Sequence, residues 1–185
     1  MNTKKIAVIA VFAALTIALN LSPIKIPAPY APFLIYQIWE IPIVAAFLIY
    51  GADIGFIIAI INTIVLIGVF PGALPTGPLY NLIAVLSMLC GVGIAKIYVE
   101  KHSPVHSEMF IVVLFTAFGV LLRAVVMGLV NWSLLGFPPP VGFSLPQEVV
   151  ITYVPLVIVF NVTLALYTIP LGYFLAKTVK SRVKT

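Results

Sequence analysis

The chain has 185 residues, of which 63% are hydrophobic and 8% are charged, and its mean hydropathy is +1.22. Because a soluble domain carries about 25% charged residues, this composition excludes a soluble monomer and indicates a protein embedded in lipid. At about 20 residues per transmembrane helix, the length allows roughly six helices and no soluble catalytic domain. The net charge of +5 resides at predicted helix ends and not on one continuous face, which argues against nucleic acid as a partner.

Long apolar runs separated by clusters of proline and glycine predict six helices. The first, at about 4–20, follows Lys4 and Lys5 as in a signal peptide, but no clear A-x-A cleavage site follows it, so we expect it to be retained. Four prolines within 22–32 end this helix, because each removes an N–H donor. The other helices are expected at about 38–50, 54–70, 79–99, 108–136 and 149–177, with further Pro-rich loops at 71–78 and 137–147.

The distribution of cations predicts how the helices are oriented in the membrane. With the N-terminus inside, eight of the ten fall on the cytoplasmic side: Lys4, Lys5, Lys96, Lys101, Lys177, Lys180, Arg182 and Lys184. This positive-inside bias is consistent only with an even number of spans. We therefore predict an all-α, single-domain bundle of six transmembrane helices over 1–185, located in the cell membrane with both termini cytoplasmic. The Pro-rich loops then lie outside, where they either cover a pocket or merely connect helices.

The sequence lacks the motifs of several kinds of chemistry. It contains no phosphate-binding loop G-x-x-x-x-G-K-[ST], no zinc-binding H-E-x-x-H and no nucleophile elbow G-x-S-x-G, so we expect neither an ATPase nor another enzyme. The single cysteine, Cys90, excludes an intrachain disulfide. Pro104 separates His102 from His106 and disfavours a helical metal-binding pair. We therefore expect no metal and no cofactor.

The acidic residues all fall at predicted helix ends: Glu40, Asp53, Glu100, Glu108 and Glu148. A proton- or sodium-coupled carrier usually places a carboxylate near the middle of the membrane, so this pattern disfavours secondary transport. With neither an ATP site nor a coupling-ion site, the chain is expected to bind a molecule and to depend on partner subunits for energy.

Arg123 lies within predicted helix 5, with no carboxylate predicted at the same depth. A cation at the membrane centre costs at least about 2.5–3.5 kcal/mol, so we expect Arg123 either to line a pocket or to brace the bundle. Trp39 and Trp132 fit an outer aromatic belt and could also stack on a planar ligand.

Asparagines within the apolar helices are further candidates for binding. Asn62, Asn131 and Asn161 lie at buried depth, and Asn81 lies at the outer start of helix 4. An amide supplies two donors and an acceptor, which suits the edge of a heterocycle. The alternative is that each amide simply joins two helices.

Helix 1 carries a stripe of small residues. Ala10, Ala14 and Ala18 follow each other at intervals of four and so share one face of the helix. Such stripes let helices approach closely in lipid. This one is either an internal packing surface or a docking surface for another membrane subunit.

Together these features resemble the substrate-binding S components of energy-coupling factor (ECF) vitamin transporters. The small six-helix chain with the Ala-x-x-x-Ala stripe is similar to that family, and so is the segment 32–42, in which Glu40 precedes Ile-Pro, running into 47–51. The resemblance covers essentially the whole chain. It implies a high-affinity vitamin-binding subunit that topples in the membrane and works with a transmembrane coupling subunit and two ATPases. Ala10, Ala14 and Ala18 would then dock on the coupling subunit.

Within that family the riboflavin-specific branch is the most similar. The run 123–131 looks like its helix-5 signature, and Phe160-Asn161 looks like the start of its Phe-Asn-x-x-Lys motif, although Leu164 stands at the lysine position. The resemblance implies riboflavin as the vitamin, with another vitamin or micronutrient as the alternative. A structural or assembly protein without a ligand is the alternative of another class. The expected substrate-binding residues are Asn131, Asn161, Arg123, Asn81, Phe33, Tyr36 and Trp39, under a lid formed by the loops at about 22–36 and 137–147.

Overall fold

The computed structural model describes residues 3–69, 74–102 and 107–182. These residues form α1 (Thr3–Leu21), β1 (Ile26–Ala28), β2 (Ala31–Tyr36), α2 (Glu40–Tyr50), α3 (Ala52–Val69), α4 (Gly77–His102), α5 (Glu108–Leu134) and α6 (Gln147–Arg182). Five of these helices are long and apolar enough to cross a membrane, and α2 is shorter. The prediction of six helices is confirmed, whereas a sixth membrane crossing by α2 and the orientation of the termini stay predictions. Part of the predicted 71–78 loop, His106 and Lys184 lie outside the described residues.

The Pro-rich segment after α1 folds into a β-hairpin, which the all-α prediction did not contain. Its strands pair antiparallel, with Ile26 opposite Tyr36 and Pro27 opposite Ile35. A proline is tolerated here because both strands of a two-stranded sheet are edge strands. The sequence did not predict the hairpin for two reasons. Prolines usually argue against a strand, and nearly all positions in the segment are apolar, so it lacks the alternation of polar and apolar residues that indicates a strand.

Helix α2 is short and lies in the interior of the bundle. Its 11 residues span about 16 Å, roughly half the thickness of the hydrocarbon core of a bilayer. The helix is followed by Gly51, whose φ of +108° is a conformation that only glycine adopts without strain. Near that end the carbonyl of Leu48 accepts a hydrogen bond from Lys180 Nζ at 3.3 Å. The opposite end of α2, at Glu40, therefore lies deep within the protein.

Glycines allow the helices around α2 to approach closely. A Cβ atom on Gly172 of α6 would lie 2.6 Å from Cγ1 of Val44 on α2. Likewise, a Cβ on Gly91 of α4 would lie 2.3 Å from the carbonyl oxygen of Phe118 on α5. Close packing of this kind drives helix association in lipid, where the hydrophobic effect between helices is absent. It sets the positions of the helices that line the candidate site.

Most of the described cations gather at one end of the bundle, which we call the basic end. There Lys5 at the start of α1 pairs with Asp53 at the start of α3, and Lys177 near the end of α6 pairs with Glu108 at the start of α5. Lys25 precedes the hairpin strand β1, away from these pairs. The grouping agrees with the positive-inside prediction, which assigns the basic end to the cytoplasm.

Candidate functional site

A cavity of about 430 Å³ lies between the hairpin and helices α1, α3, α4, α5 and α6. Its volume is within the range of small-molecule sites, about 300–1,000 Å³. Its polar lining consists of Asn20, Lys25, Gln37, Tyr80, Asn81, Arg123, Asn131 and Asn161. The rest of the lining is apolar, and among the described residues no acidic side chain lines it. The cavity can therefore enclose a largely apolar molecule and hold its polar edges with amides and a phenol.

Arg123 lies in the wall of the cavity and forms a buried ion pair with Glu40. Both residues are 2% exposed. Nη2 of Arg123 donates to Oε1 of Glu40 at 3.0 Å, and Nη1 donates to Oε2. The guanidinium thus binds the carboxylate through two parallel hydrogen bonds, the strongest geometry for such a pair. Its charge is matched within the protein and does not require an anionic ligand.

The pair corrects the prediction that no carboxylate lies at the depth of Arg123. Glu40 does stand at a helix end, as the sequence indicated, but α2 is only about half a membrane thick, so this helix end is buried. The sequence argument against ion-coupled transport therefore loses its premise. What the structure shows instead is a carboxylate whose two oxygens both accept hydrogen bonds from Arg123.

Asn161 connects this ion pair to α6. Its side-chain oxygen accepts a hydrogen bond from Nε of Arg123 at 2.9 Å, and its amide nitrogen donates to the Val157 carbonyl at 2.9 Å. Most of the hydrogen-bonding capacity of Asn161 is therefore used within the protein. The second N–H of the amide is not used within the described part of the protein, and because Asn161 lines the cavity this N–H can donate to a ligand.

The side chain of Asn131 forms fewer hydrogen bonds within the protein than that of Asn161. It is 7% exposed, and its amide nitrogen donates to the Met127 carbonyl at 2.8 Å. Within the described residues its side-chain oxygen has no hydrogen-bond partner. Because Asn131 lines the cavity, water or a ligand there can donate a hydrogen bond to this oxygen. Asn131 is thus an available acceptor in the cavity.

Two of the other expected binding residues line the cavity, and two do not. Asn81 and Phe33 are exposed and belong to its wall. The hydroxyl of Tyr36 is hydrogen-bonded to Thr163 at 2.6 Å and fastens the hairpin to α6. Trp39 is 5% exposed and packs in the hydrophobic core. Its assignment to an outer aromatic belt was therefore wrong, again because the chain enters the interior before α2 begins.

Asn62 serves a different purpose from the cavity asparagines. Its side-chain oxygen accepts a hydrogen bond from Asn20 Nδ2 at 3.4 Å, which joins α1 to α3. Asn62 is absent from the described cavity wall, whereas Asn20 belongs to it. The sequence pointed to Asn62 and missed Asn20, although an amide near the end of an apolar helix was a signal that could have found it.

The sequence also missed how the segment after α5 meets the cavity. The hydroxyl of Tyr80 on α4 donates to the Val141 carbonyl at 2.7 Å, and Thr76 bonds to the Pro140 carbonyl. Phe143 of the same segment lines the cavity. The segment and the hairpin both contribute to the wall, as expected of covering loops, while closure over a ligand stays a prediction.

The small-residue stripe of α1 faces outward. Ala10, Ala14 and Ala18 are exposed, whereas the buried face of α1 carries Ile9, Ala13, Thr16 and Asn20. The alternative that the stripe packs inside the chain was therefore wrong. Its role as a docking surface stays a prediction.

The fold has a counterpart among solved structures. A structure described as "Structure and mechanism of the S component of a bacterial ECF transporter" superposes with a TM-score of 0.78, and the match covers 100% of both chains at 20% sequence identity. No protein-family model and no curated protein matches the chain. The neighbour is a transporter component and not an enzyme. The chain therefore has the fold of an ECF transporter S component.

Proposed function

We propose that this protein is the membrane-embedded substrate-binding subunit of an ECF-type importer and that it binds a vitamin, with riboflavin as the first candidate, in the 430 Å³ cavity. The observation that carries the proposal is the cavity itself, an apolar chamber with a few fixed amides in a fold shared with an S component. Pre-formed chambers of this composition are typical of small-molecule sites. A structural protein without a ligand would not require an acceptor such as the Asn131 side-chain oxygen to remain available in this cavity.

The charges around the cavity favour an uncharged ligand. Arg123 is matched by Glu40, and in the described part of the wall the one other cation is Lys25, which lies just before the first strand of the hairpin. With no acidic side chain in the described wall, a cationic ligand would be desolvated without a counter-charge, which is costly. Riboflavin is uncharged and presents a heterocycle with donors and acceptors along one edge. Asn131, Asn161 and Tyr80 supply the complementary groups.

Leu164 marks a departure from the riboflavin-specific pattern. It is 4% exposed and packs with Ala28 and Phe160, so it takes part in fastening the hairpin to α6. In the described residues it does not belong to the cavity wall. Leu164 therefore offers the ligand no polar group, and the absence of the lysine expected in the riboflavin branch keeps another vitamin as the alternative ligand.

The partners that the proposal requires are a transmembrane coupling subunit and two ATPases. The exposed stripe of Ala10, Ala14 and Ala18 supports docking, because it leaves a smooth face on α1 for close approach of a second helix. The chain would capture its vitamin from the outer side, and the partners would supply the energy for release inside.

The test is a binding measurement on the detergent-purified chain. We expect purified protein to carry flavin absorbance, or to acquire it after incubation with riboflavin and removal of the excess. Quenching of Trp39 and Trp132 fluorescence would report other vitamins in parallel. Retention of another vitamin in place of riboflavin would move the assignment within the family, and retention of none would leave a protein without a ligand.

A further inference from the structure

A second cavity, of about 280 Å³, lies at the basic end and is separate from the candidate binding site. It is formed where the C-terminal part of α2 meets α4, α5 and α6. Its apolar wall includes Leu48, Val99, Ile111 and Phe115. Three lysines border it, Lys96 from α4 and Lys177 and Lys180 from α6, and Glu100 of α4 is the one carboxylate in its described wall. The cavity thus combines an apolar chamber with a border in which cations outnumber anions.

The charged groups around this cavity leave a surplus of positive charge. Lys96 lies 4.0 Å from Glu100 on the next turn of α4, and Lys177 pairs with Glu108. The ammonium group of Lys180 bonds only to the Leu48 carbonyl within the described residues. Three ammonium groups therefore face two carboxylates, and one positive charge remains for an external anion.

The environment indicates that the anion belongs to an amphiphile. Apolar side chains near the start of α5 and the end of α6 are exposed, with 73% for Met109, 57% for Val113 and 50% for Phe174. In a bilayer such residues contact acyl chains. A free phosphate would satisfy the lysines and leave the apolar chamber empty, whereas a phospholipid would fill both parts. Basic pockets between helices on the cytoplasmic side are a recognised arrangement for anionic headgroups.

We propose that this cavity binds one anionic phospholipid of the cytoplasmic leaflet, with its phosphodiester between Lys96 and Lys180 and part of an acyl chain against Val99 and Ile111. The single negative charge of the phosphodiester matches the surplus charge of the site. The lipid joins the ends of α4 and α6 and covers the C-terminal end of α2. It therefore stabilises the basic end without taking part in binding at the larger cavity.

The test compares phosphatidylglycerol with phosphatidylcholine by native mass spectrometry of the full chain released from mixed micelles. We expect one phosphatidylglycerol to be retained in preference to phosphatidylcholine. The variant Lys96→Gln/Lys180→Gln should lower that preference about 25-fold, since each lysine near an anionic lipid contributes roughly a factor of five. The matched control is Lys101→Gln/Arg182→Gln, which removes the same charge from exposed positions of the same two helices and should keep the preference.

A second variant keeps the proposal testable if the lysine variant is poorly folded. Val99→Trp fills the apolar chamber and leaves every charge in place, and it should also lose the retained lipid. Equal loss in the lysine variant and its control would overturn the proposal, because general attraction to the basic end would then explain the preference. Displacement of the lipid by millimolar inorganic phosphate would overturn it as well, by identifying a site for a free anion.

Discussion

Glu40→Gln is expected to destabilise the protein strongly, although the glutamine side chain has nearly the same size and shape as that of glutamate. The substitution removes the negative partner of Arg123 at a position where both side chains are 2% exposed, and it keeps only one acceptor in place of a bidentate carboxylate. Removing one partner of a buried pair costs about 3–5 kcal/mol. For a chain of this length we expect Tm to fall by roughly 10 °C, measured by thermal unfolding in detergent.

Two further variants show whether the ion pair is the cause. Glu40→Leu/Arg123→Met replaces the pair by two apolar side chains and should recover most of the lost stability, because an apolar replacement of a buried pair is often neutral. Lys5→Gln breaks the exposed pair with Asp53 and should cost at most about 1 kcal/mol. If Glu40→Gln changed Tm no more than Lys5→Gln does, Arg123 would not depend on Glu40 and the account of the cavity wall would be wrong.

The remaining predictions concern the cavity, the stripe and the packing. Asn131→Ala should weaken binding of the retained vitamin about tenfold in a fluorescence titration. Asn62→Ala, outside the described cavity wall, should leave the affinity unchanged in the same titration. Equal effects of the two variants would refute the assignment of Asn131 to the binding site. Ala14→Leu should preserve vitamin binding and abolish co-purification with the coupling subunit, and undiminished co-purification would remove the stripe as the docking surface. Gly172→Val should cost about 1–3 kcal/mol by overpacking against α2, read from thermal unfolding, and a neutral result would contradict the close approach of α6.

The candidate site divides into residues that the sequence could identify and residues that it could not. Arg123, Asn131 and Asn161 were visible because a charge or an amide is rare within an apolar helix. Asn20 was overlooked although it carried the same signal as Asn81, an amide near the end of an apolar helix, and Tyr80 was not singled out because tyrosine is common at helix ends near the membrane interface. Tyr36 and Trp39 were expected to contact the ligand, but their neighbours are α6 and the hydrophobic core.

Composition and the placement of prolines and cations were enough to predict a membrane protein of six helices with most of its cations at one end. These properties follow from the solvent, since lipid requires long apolar helices and excludes charges from their middle. Tertiary structure alone decided the hairpin and the partnership of Glu40 with Arg123. The reason is that hydropathy measures how apolar a segment is and not how deep a short helix begins. The depth of α2 depends on Gly51 at one end and the hairpin at the other, and it places a carboxylate next to an arginine 83 residues away.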